Sequence, residues 1–445
     1  MTTVAVPPGP PLRALPWLLH ALARDRLAMM REAARYGDAA RVRMGPKTMY
    51  VFNHPDTAKY VLADNAANYV KGIGLVQARR AIGDGLLTSD GELWKTQRAL
   101  IRPAFQHKRI VAQSDVVAKE AMALVDRLRA HVGGGPVEVG AAMTDLTLGV
   151  LGHTLLDTEL GDVPGIAHAF EAVQDQAMFE MVTLSAVPMW VPLPGQLRFR
   201  RARRRLEEIV TRFVQERSAR APGEDVLSRL IDSAGAEADP AVGRRRIRDE
   251  LVTLLLAGHE TTASTLSWTL SLVSRHPEVA RRLHAEAIEV LGGRPPEFAD
   301  LRALTYTTQV VQEAMRLHPP VWILPRMALA DDEVGGFGVP AGADVVVCPY
   351  TMHRHPDLWD EPDRFDPDRF APDAAAARPR YAYIPFGGGP RFCVGSQLGL
   401  MEAVFVVAAI SRELRLRSVP GHRAVPEPML SLRVAGGLPM TVHPA

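Results

Sequence analysis

The stretch most suited to chemistry is a glycine-rich loop that holds Cys393, one of two cysteines in the chain. The loop runs from Pro385 to Gly395, and its glycines let the backbone approach a bulky partner and aim N–H groups at it. Residues 396–410 have the composition and length of a helix. Cys393 therefore precedes a helix N-terminus, where the helix dipole favours a thiolate. We expect an anionic sulfur that faces something large.

Four uses of Cys393 can be compared. A lone cysteine is most often a small buried hydrophobe. A structural zinc site needs four nitrogen or sulfur ligands, and the other cysteine, Cys348, lies far away in an apolar run. A nucleophile needs a nearby base, which the loop lacks. A single thiolate in a glycine-rich loop, preceded by an arginine suited to a carboxylate (Arg391), fits an axial ligand of haem iron.

A predicted helix at about 245–275 carries a second polar cluster. Residues 251–263 are apolar apart from hydroxyls and the pair His259-Glu260, and a buried acid is costly unless it is paired or used. The cluster His259-Glu260-Thr261-Thr262 argues against a membrane span. A polar patch satisfied inside a core helix is the structural alternative.

Trp94 and Arg98 are four residues apart, so they share one face of a predicted helix. A cation-π pair on a surface helix is the plain explanation of this spacing.

The composition is that of a globular protein with a large core, at 47% hydrophobic and 23% charged residues. A net charge of +2 gives no argument for a nucleic-acid partner. Two cysteines in different surroundings predict no disulfide framework and fit a reducing cytoplasm. Residues 14–23 could pass for a signal-peptide core, but His20 interrupts them, and residues 14–36 fit an amphipathic helix better. We expect a cytoplasmic protein without a membrane anchor.

The elements that must position these residues are mostly helical. Strands at 40–44 and 48–52, joined by a turn at 45–47, predict a small sheet ahead of a helical body. Further short strands are expected at 344–348 and in the tail at 429–433 and 438–442, with a hairpin around 331–336. The fold class is mainly α with small β-sheets. The predicted long helices lie at 118–129, 141–156, 166–181 and 198–216.

The spacing Phe386-x-x-Gly389-x-Arg391-x-Cys393-x-Gly395 resembles the signature of the cytochrome P-450 family, the haem-thiolate monooxygenases. The run Ala257–Thr261 also matches that family's distal-helix motif. The resemblance covers nearly the whole chain, with the motifs in the family's order. It implies the cytochrome P-450 fold, in which a long distal helix and the cysteine loop enclose haem. It also implies a single domain over 1–445, with a proline-rich lead at 1–12 and no fused reductase or ferredoxin domain.

The resemblance assigns a role to each matching residue. Cys393 would be the axial ligand of haem b (iron protoporphyrin IX). Glu260 and Thr261 would hold water and relay protons, because cleavage of O2 needs protons in a site otherwise kept dry. Gly258 would keep a side chain out of the oxygen site. The other implied cofactor contacts are Trp94, Arg98, Ala257, Arg326, Phe386, Arg391 and Gly395.

A Glu-x-x-Arg pair, Glu313 and Arg316, is implied to have a structural role. The bare pattern carries no weight, since it recurs at Glu32/Arg35, Glu278/Arg281 and Glu361/Arg364. Its context selects it: the helix ends at His318-Pro319-Pro320, and Pro367-Asp-Arg-Phe370 follows downstream. In the family this pair joins an arginine, here Arg369, to lock the core near the cysteine. The family's Pro-Glu-Arg-Phe is Pro-Asp-Arg-Phe in this chain.

The implied activity is oxidation of a lipophilic small molecule, of a terpenoid, fatty-acyl or polyketide-like kind, by O2. Two electrons would come from a separate partner, a ferredoxin with its reductase or a flavodoxin, and the basic patch His107-Lys108-Arg109 could face it or be merely solvated. A carboxylate anchor for the substrate could come from Arg79, Arg80 or Arg433. Neither nucleic acid nor a stable membrane anchor is expected. The candidate substrate-pocket residues are Leu86, Met178, Leu254, Val321, Trp322, Ile323 and Leu430.

Two other readings remain open at this point. A peroxide-driven or rearranging haem-thiolate enzyme needs no redox partner, but such enzymes commonly lack the acid–alcohol pair that is intact here at Glu260-Thr261. A haem-based carrier or sensor would bind ligands without turnover.

Overall fold

The structure, a computed structural model, describes residues 5–44, 47–158, 160, 165–220, 223 and 225–445. Helices make up 59% of the structure and the sheets are small, which confirms the predicted fold class. The α-helices are α1 (Leu15–Arg24), α2 (Arg26–Ala34), α3 (Pro55–Lys59), α4 (Leu75–Ile82), α5 (Gly91–Ile101), α6 (His107–Arg129), α7 (Val139–Leu151), α8 (Ile166–Thr183), α9 (Pro194–Ser218), α10 (Val226–Gly235), α11 (Pro240–Val273), α12 (Pro277–Leu291), α13 (Thr305–Leu317), α14 (Pro349–Met352), α15 (Pro372–Ala376) and α16 (Ser396–Glu413).

The strands are short and form four small sheets among the described residues. They are β1 (Ala39–Met44), β2 (Lys47–Phe52), β3 (Tyr69–Lys71), β4 (Val137–Glu138), β5 (Leu324–Ala328), β6 (Asp332–Val334), β7 (Phe337–Val339), β8 (Asp344–Val347), β9 (Leu414–Ser418), β10 (Pro426–Pro428), β11 (Leu432–Val434) and β12 (Pro439–Pro444).

The long helix α11 runs through the centre of the fold. It begins five residues before the predicted start, because Asp239 caps it by accepting from Ala241 N and Pro240 occupies the first turn. Its 34 residues make it about 50 Å long. Trp268 anchors its second half, since its indole N–H donates to Leu432 O at 2.8 Å and its ring stacks on His318. The middle of α11 is thereby held in a fixed position.

Helix α16 follows the cysteine loop directly and is a core element. Its second half is largely apolar, and residues 404–409 are completely buried. It packs against α6, α11, α12 and α13. Burying one large side chain such as Phe405 contributes roughly 1.5–3 kcal/mol, so this helix fixes the loop that precedes it.

The largest sheet has the strand order β1-β2-β8-β5-β3. β2 and β8 are parallel and the other neighbours are antiparallel, with Lys71 of β3 directly opposite Arg326 of β5. The proline-rich lead lies along this region, where Pro8 O accepts from Arg41 N. The predicted turn between β1 and β2 falls on Gly45 and Pro46, which lie outside the described residues.

Two strand predictions are corrected. The tail residues 429–433 do not form one strand, because Pro428 lacks an N–H and ends β10, so that 429–431 form the turn before β11. Cys348, predicted within a strand, follows β8 and caps α14; its side chain is fully buried and its thiol lies 3.3 Å from Trp322 O.

One helical stretch among the described residues, Val139–Leu156, is long and apolar enough to cross a membrane by length and composition. In the structure 67% of that stretch is buried inside the fold, as in the core helix of a globular protein.

Candidate active site

A cavity of about 340 Å³ lies between the middle of α11 and the loop that precedes α16. Cys393 lines it from the loop, and Ala257, Glu260 and Thr261 line it from α11. The predicted sulfur ligand and the predicted acid–alcohol pair are thus brought to one cavity from two different elements.

The cysteine loop depends on a left-handed glycine. Gly389 has φ of +64°, and a Cβ at this position would lie 1.8 Å from Leu62 O, so no other residue fits without moving the backbone. The turn is closed by Cys393 N, which donates to Phe386 O at 3.0 Å. Gly395 caps α16 and lies against Phe105. The loop therefore holds the sulfur at a fixed place on the cavity wall.

The expected thiolate does not follow from the helix terminus alone. Burial raises the pKa of the Cys393 thiol, and the Gly395 N–H and the nearby Arg98 guanidinium only partly offset that effect. Cys393 lines the cavity and keeps exposed surface there, so the desolvation comes from the protein around the rest of the side chain. A coordinated metal ion reverses this balance, since a coordinating thiol is deprotonated. Among the described residues no cluster of histidine, cysteine or acidic side chains could hold a metal by itself.

Cationic side chains form one edge of the cavity. Arg98 and Arg391 lie on the Trp94 ring, with Cζ 5.6 Å and 4.4 Å from its centroid. Arg98 also donates to Phe392 O at 2.9 Å, and Arg391 pairs with Asp90 and donates to Ser89 O at 3.1 Å. These contacts hold the guanidinium groups at the cavity edge.

Arg326 lies on the same edge and is almost fully buried, at 6% exposure. Its Nη1 donates to Pro325 O at 2.9 Å. Burial, together with the neighbouring Arg391, lowers the pKa of Arg326 to about 10. Arg326 forms no ion pair within 4.0 Å with a described residue, although Asp90 raises its pKa from a longer distance. A buried guanidinium without a close acid is costly, so this residue indicates an anion at the cavity edge.

The sequence prediction missed a fourth cation, Lys71. It lines the cavity at 7% exposure and lies directly opposite Arg326 across the β3–β5 pair. Burial, Arg326 and Arg391 hold the pKa of the Lys71 ammonium well below its usual range, and Asp90 opposes them. Like charges directly opposite in a sheet are destabilising. No short motif marks this lysine, so only the cross-strand register reveals it.

We call these four cations the cationic rim (Lys71, Arg98, Arg326 and Arg391). All of them except Arg98 interact with one acid, Asp90. A group with two carboxylates on one edge and an iron at its centre fits this arrangement. The rim supplies the donors that carboxylates need, and the thiol lies within the same cavity. The residues present therefore fit an iron porphyrin.

Gly258 has a different neighbour from the one expected. A Cβ there would lie 2.8 Å from the Leu151 side chain of α7, so the glycine permits close packing of α7 on α11. Both residues line the cavity. The structure thus gives this glycine a helix-packing role, and its role in keeping the oxygen site free stays a prediction.

Glu260 and Thr261 differ in their hydrogen bonding. The Thr261 hydroxyl donates to Ala257 O at 2.7 Å, one turn earlier in α11. Oε1 of Glu260 is buried without a partner, and so is the nearby Ser431 hydroxyl. Burial raises the pKa of Glu260 to about 7, while Ser431 and Arg433 act in the opposite direction. This carboxyl can therefore exist in both protonation states near neutral pH.

Six of the seven residues predicted for the substrate pocket line the cavity. Leu86, Leu254, Val321, Trp322, Ile323 and Leu430 all line the cavity. Met178 does not, and Met181, three residues later in α8, takes that place. The methyl end of Met181 lies against Gly74, where α4 begins, whereas Met178 is buried earlier along α8. Trp322 is fixed by its indole N–H, which donates to Met429 O at 2.9 Å.

The structure brings Glu313, Arg316 and Arg369 together away from the cavity. Glu313 and Arg316 are completely buried and form a bidentate pair, at 2.6 and 2.8 Å. Arg316 also donates to the backbone carbonyls of residues 353, 362 and 364. Arg369 Nε lies 3.6 Å from Glu313 Oε1 and makes no hydrogen bond there.

Residues 7–437 match the cytochrome P-450 family. The chain is 37% identical over 436 residues to cyclooctatin synthase of Streptomyces melanosporofaciens, covering 97% of this chain and 94% of that protein. It is 35% identical over 451 residues to cyclooctat-9-en-7-ol 5-monooxygenase of the same organism, covering 99% and 95%. It is 31% identical over 412 residues to pentalenene oxygenase of Streptomyces avermitilis, covering 92% and 91%.

The fold and the matches define the class of the protein as a haem-iron oxidoreductase. The chain belongs to the cytochrome P-450 family. Its members are monooxygenases that use O2, redox partners and small-molecule substrates.

Replacing Glu313 by Gln should lower the free energy of unfolding by about 3–5 kcal/mol, because it leaves the buried Arg316 without its charge partner. Urea denaturation measures the change. Glu361→Gln is the matched control, since Glu361 pairs with Arg364 at the same spacing on the surface. Equal effects of the two substitutions would contradict the structural role.

The contribution of Glu260 to stability should fall as pH rises from about 4.5 to 7.5. Its pKa is about 7 in the folded protein and about 4.3 in an unfolded chain, so between these values the folded state binds more protons. Glu260→Gln should remove roughly 1–3 kcal/mol of this loss. Denaturation at several pH values measures it, and identical pH profiles of the two proteins would refute the pKa shift.

Proposed function

We propose that the chain is a monooxygenase that oxidises an uncharged terpenoid with O2, holding haem b through Cys393 in the cavity described above. The observation that carries this proposal is the convergence of the Cys393 thiol, the cationic rim and the Glu260–Thr261 pair on one cavity. Haem b, when bound, supplies the iron that activates O2 with electrons from a partner protein. The protein supplies binding, orientation and protons.

The proposed binding contacts divide into three sets. The sulfur of Cys393 would be the metal ligand, and the Gly395 N–H and Arg98 stabilise its negative charge. The cationic rim would bind the two carboxylates, with Trp94 holding Arg98 and Arg391. Phe386 and Ala257 line the cavity and would contact the planar part of the group.

Two side chains of α11, Glu260 and Thr261, would deliver protons to the cavity. Glu260 can accept and release a proton near neutral pH because its pKa is about 7. The Thr261 hydroxyl donates to Ala257 O, so its oxygen is left to accept a hydrogen bond from a water in the cavity. The apolar walls keep other water away from the reacting atoms, which favours delivery of protons over leakage.

The cavity favours an uncharged substrate over a fatty acid. The three arginines that could have anchored a substrate carboxylate are each paired with an acid: Arg79 with Asp84 at 2.5 Å, Arg80 with Glu180 at 3.0 Å and Arg433 with Glu427 at 2.7 Å. The cationic rim is reserved for the cofactor in this proposal. The names of two relatives, pentalenene oxygenase and cyclooctat-9-en-7-ol 5-monooxygenase, support a hydrocarbon or alcohol of the terpenoid class.

Electrons would come from a separate acidic protein, a ferredoxin or a flavodoxin. Lys108, at the start of α6, is exposed and forms no ion pair within 4.0 Å with a described residue. His107 packs edge-on against Phe298 beside this lysine. We propose a single catalytic domain over 1–445 that works in the cytoplasm, where its two free cysteines would stay reduced.

A peroxide-driven or rearranging enzyme, or a haem sensor, is less well supported. The Glu260–Thr261 pair lines the cavity together with Cys393, which is the arrangement needed for proton delivery during O2 cleavage.

Substitution of Cys393 tests the proposed ligand. Cys393→Ser should abolish the thiolate-type band in the reduced carbon monoxide difference spectrum, since a serine hydroxyl does not replace a thiolate on the iron. Cys348→Ser is the matched control and should keep the band, because Cys348 is buried beside Trp322 outside the cavity lining. A band that survives in Cys393→Ser would refute the assignment.

Lys71→Met tests the cationic rim. Without haem, the variant should be more stable than the wild type by about 1–2 kcal/mol, because it removes a buried cation beside Arg326. Its affinity for haem should fall about tenfold, since one charge-assisted contact is lost. Urea denaturation of the apoprotein measures the change in stability, and titration of the apoprotein with haem measures the change in affinity. The exposed Lys95→Met is the control for both. A less stable apoprotein with unchanged haem affinity would contradict the role.

A spectral screen of ligands tests the substrate class. Uncharged cyclic terpenoids should displace the iron-bound water at concentrations where fatty acids of similar size do not. Tight binding of fatty acids, but of no terpenoid, would contradict the proposal.

A further inference from the structure

The acid of α11 that lines the main cavity, Glu260, faces a hairpin from the tail of the chain. This tail hairpin covers residues 426–434 and consists of β10, the turn at 429–431 and β11. Besides burial, the groups among the described residues that act on the pKa of Glu260 are Ser431, Arg433 and Glu427. All three belong to the tail hairpin, so one element sets the polar surroundings of this acid.

Glu260 and Ser431 each have a buried polar atom without a partner. Oε1 of Glu260 and the Ser431 hydroxyl make no hydrogen bond with a described residue, although Ser431 is only 1% exposed. Both residues line the main cavity. Buried polar atoms without partners are rare in native proteins, and an ordered water that bonds to both members of such a pair satisfies them at little cost.

The tail hairpin is attached to α11 immediately after Ser431. The carbonyl oxygen of Leu432 accepts from the Ser264 hydroxyl at 2.6 Å and from the Trp268 indole N–H at 2.8 Å. Both donors belong to α11, the helix that also carries Glu260. These two bonds fix the backbone beside Ser431, so its hydroxyl keeps its position relative to the acid.

An ion pair on the same hairpin reaches solvent. Arg433 Nε lies 2.7 Å from Glu427 Oε2, directly across the β10–β11 pair, and the two side chains are 30% and 38% exposed. Arg433 lowers the pKa of Glu260 and Glu427 raises it, so both charges lie within electrostatic range of the buried acid. The pair therefore lies between Glu260 and the surface of the protein.

We propose that Ser431 is a positioning residue that binds one water together with Glu260, and that the Glu427–Arg433 pair connects this water to solvent. When Glu260 gives its proton to a water beside Thr261, its carboxylate takes a proton back from the shared water. Solvent replaces that proton along the Glu427 carboxylate, because the Arg433 guanidinium does not release protons. Each delivered proton is thus replaced by one from solvent, and the protein returns to its initial state. This inference rests on the proposed function.

Infrared spectroscopy of the haem-loaded resting protein tests the site without turnover. The band of the protonated Glu260 carboxyl is identified by its loss in Glu260→Gln and is followed against pH. In Ser431→Ala the midpoint of this titration should rise by at least about half a pH unit, because a donor that stabilises the carboxylate through the shared water is lost. Ser431→Thr keeps a hydroxyl and should restore the wild-type midpoint.

The two charged residues of the hairpin should shift the same midpoint in opposite directions. Arg433→Gln should raise it and Glu427→Gln should lower it, which a general loss of stability would not produce. The matched control is Ser264→Ala, which removes a hydroxyl that bonds to the same hairpin but does not act on the pKa of Glu260. It should keep the wild-type midpoint.

During turnover, Ser431→Ala should increase the share of electrons recovered as hydrogen peroxide by at least about threefold, because protons reach the cavity more slowly. Ser431→Thr and Ser264→Ala should keep the wild-type share. The proposal is overturned if Ser431→Ala leaves the infrared midpoint unchanged, or if Ser264→Ala shifts it as much. If the wild type oxidises no substrate, the proposed function fails, whereas the infrared titration still decides the role of Ser431.

Discussion

An unbalanced group of buried cations is the constraint on which the site depends. Lys71 and Arg326 face each other across two strands, with Arg391 and Arg98 beside them and Asp90 as their acidic neighbour. Such an arrangement is costly in a protein interior unless an anion offsets it. The largest sheet, helix α5 and the cysteine loop each contribute to this rim, so an anion bound between these three elements would offset its charge.

A series of hydrogen bonds connects the cysteine loop to the buried Glu313–Arg316 pair. Glu313 and Arg316 fix the segment around His353, whose carbonyl accepts from Arg316 at 2.8 Å. The His353 ring then accepts from Ile384 N at 2.9 Å, and Ile384 O accepts from Gly387 N at 3.0 Å. A continuous series of contacts thus joins the structural cluster to the loop that carries Cys393. The function of that cluster is positional, since none of its three residues lines the cavity.

Local sequence was enough to predict the features that depend on a short stretch of chain. The cysteine loop and the Glu260–Thr261 pair each lie within a few residues, where spacing decides which groups meet. The Glu313–Arg316 pair was selected by its context and the family resemblance, because the same spacing recurs at three other places. Lys71 was not predictable in this way, because its partner is 255 positions away and is set by strand register. Met178 and Met181 could not be distinguished without knowing how α8 packs against α4. The surroundings that raise the pKa of the Cys393 thiol could not be predicted, because they come from chain segments distant in sequence; the anionic sulfur itself stays a prediction.

The central claim is that the cationic rim exists to bind two carboxylates beside the Cys393 sulfur. The most direct measurement compares the affinity of the apoprotein for haem b with its affinity for haem b dimethyl ester, in which both carboxylates are blocked. The account predicts that the ester binds at least about 100-fold more weakly, because the charge-assisted contacts to four buried or half-buried cations are lost. Equal affinities for the two compounds would contradict it.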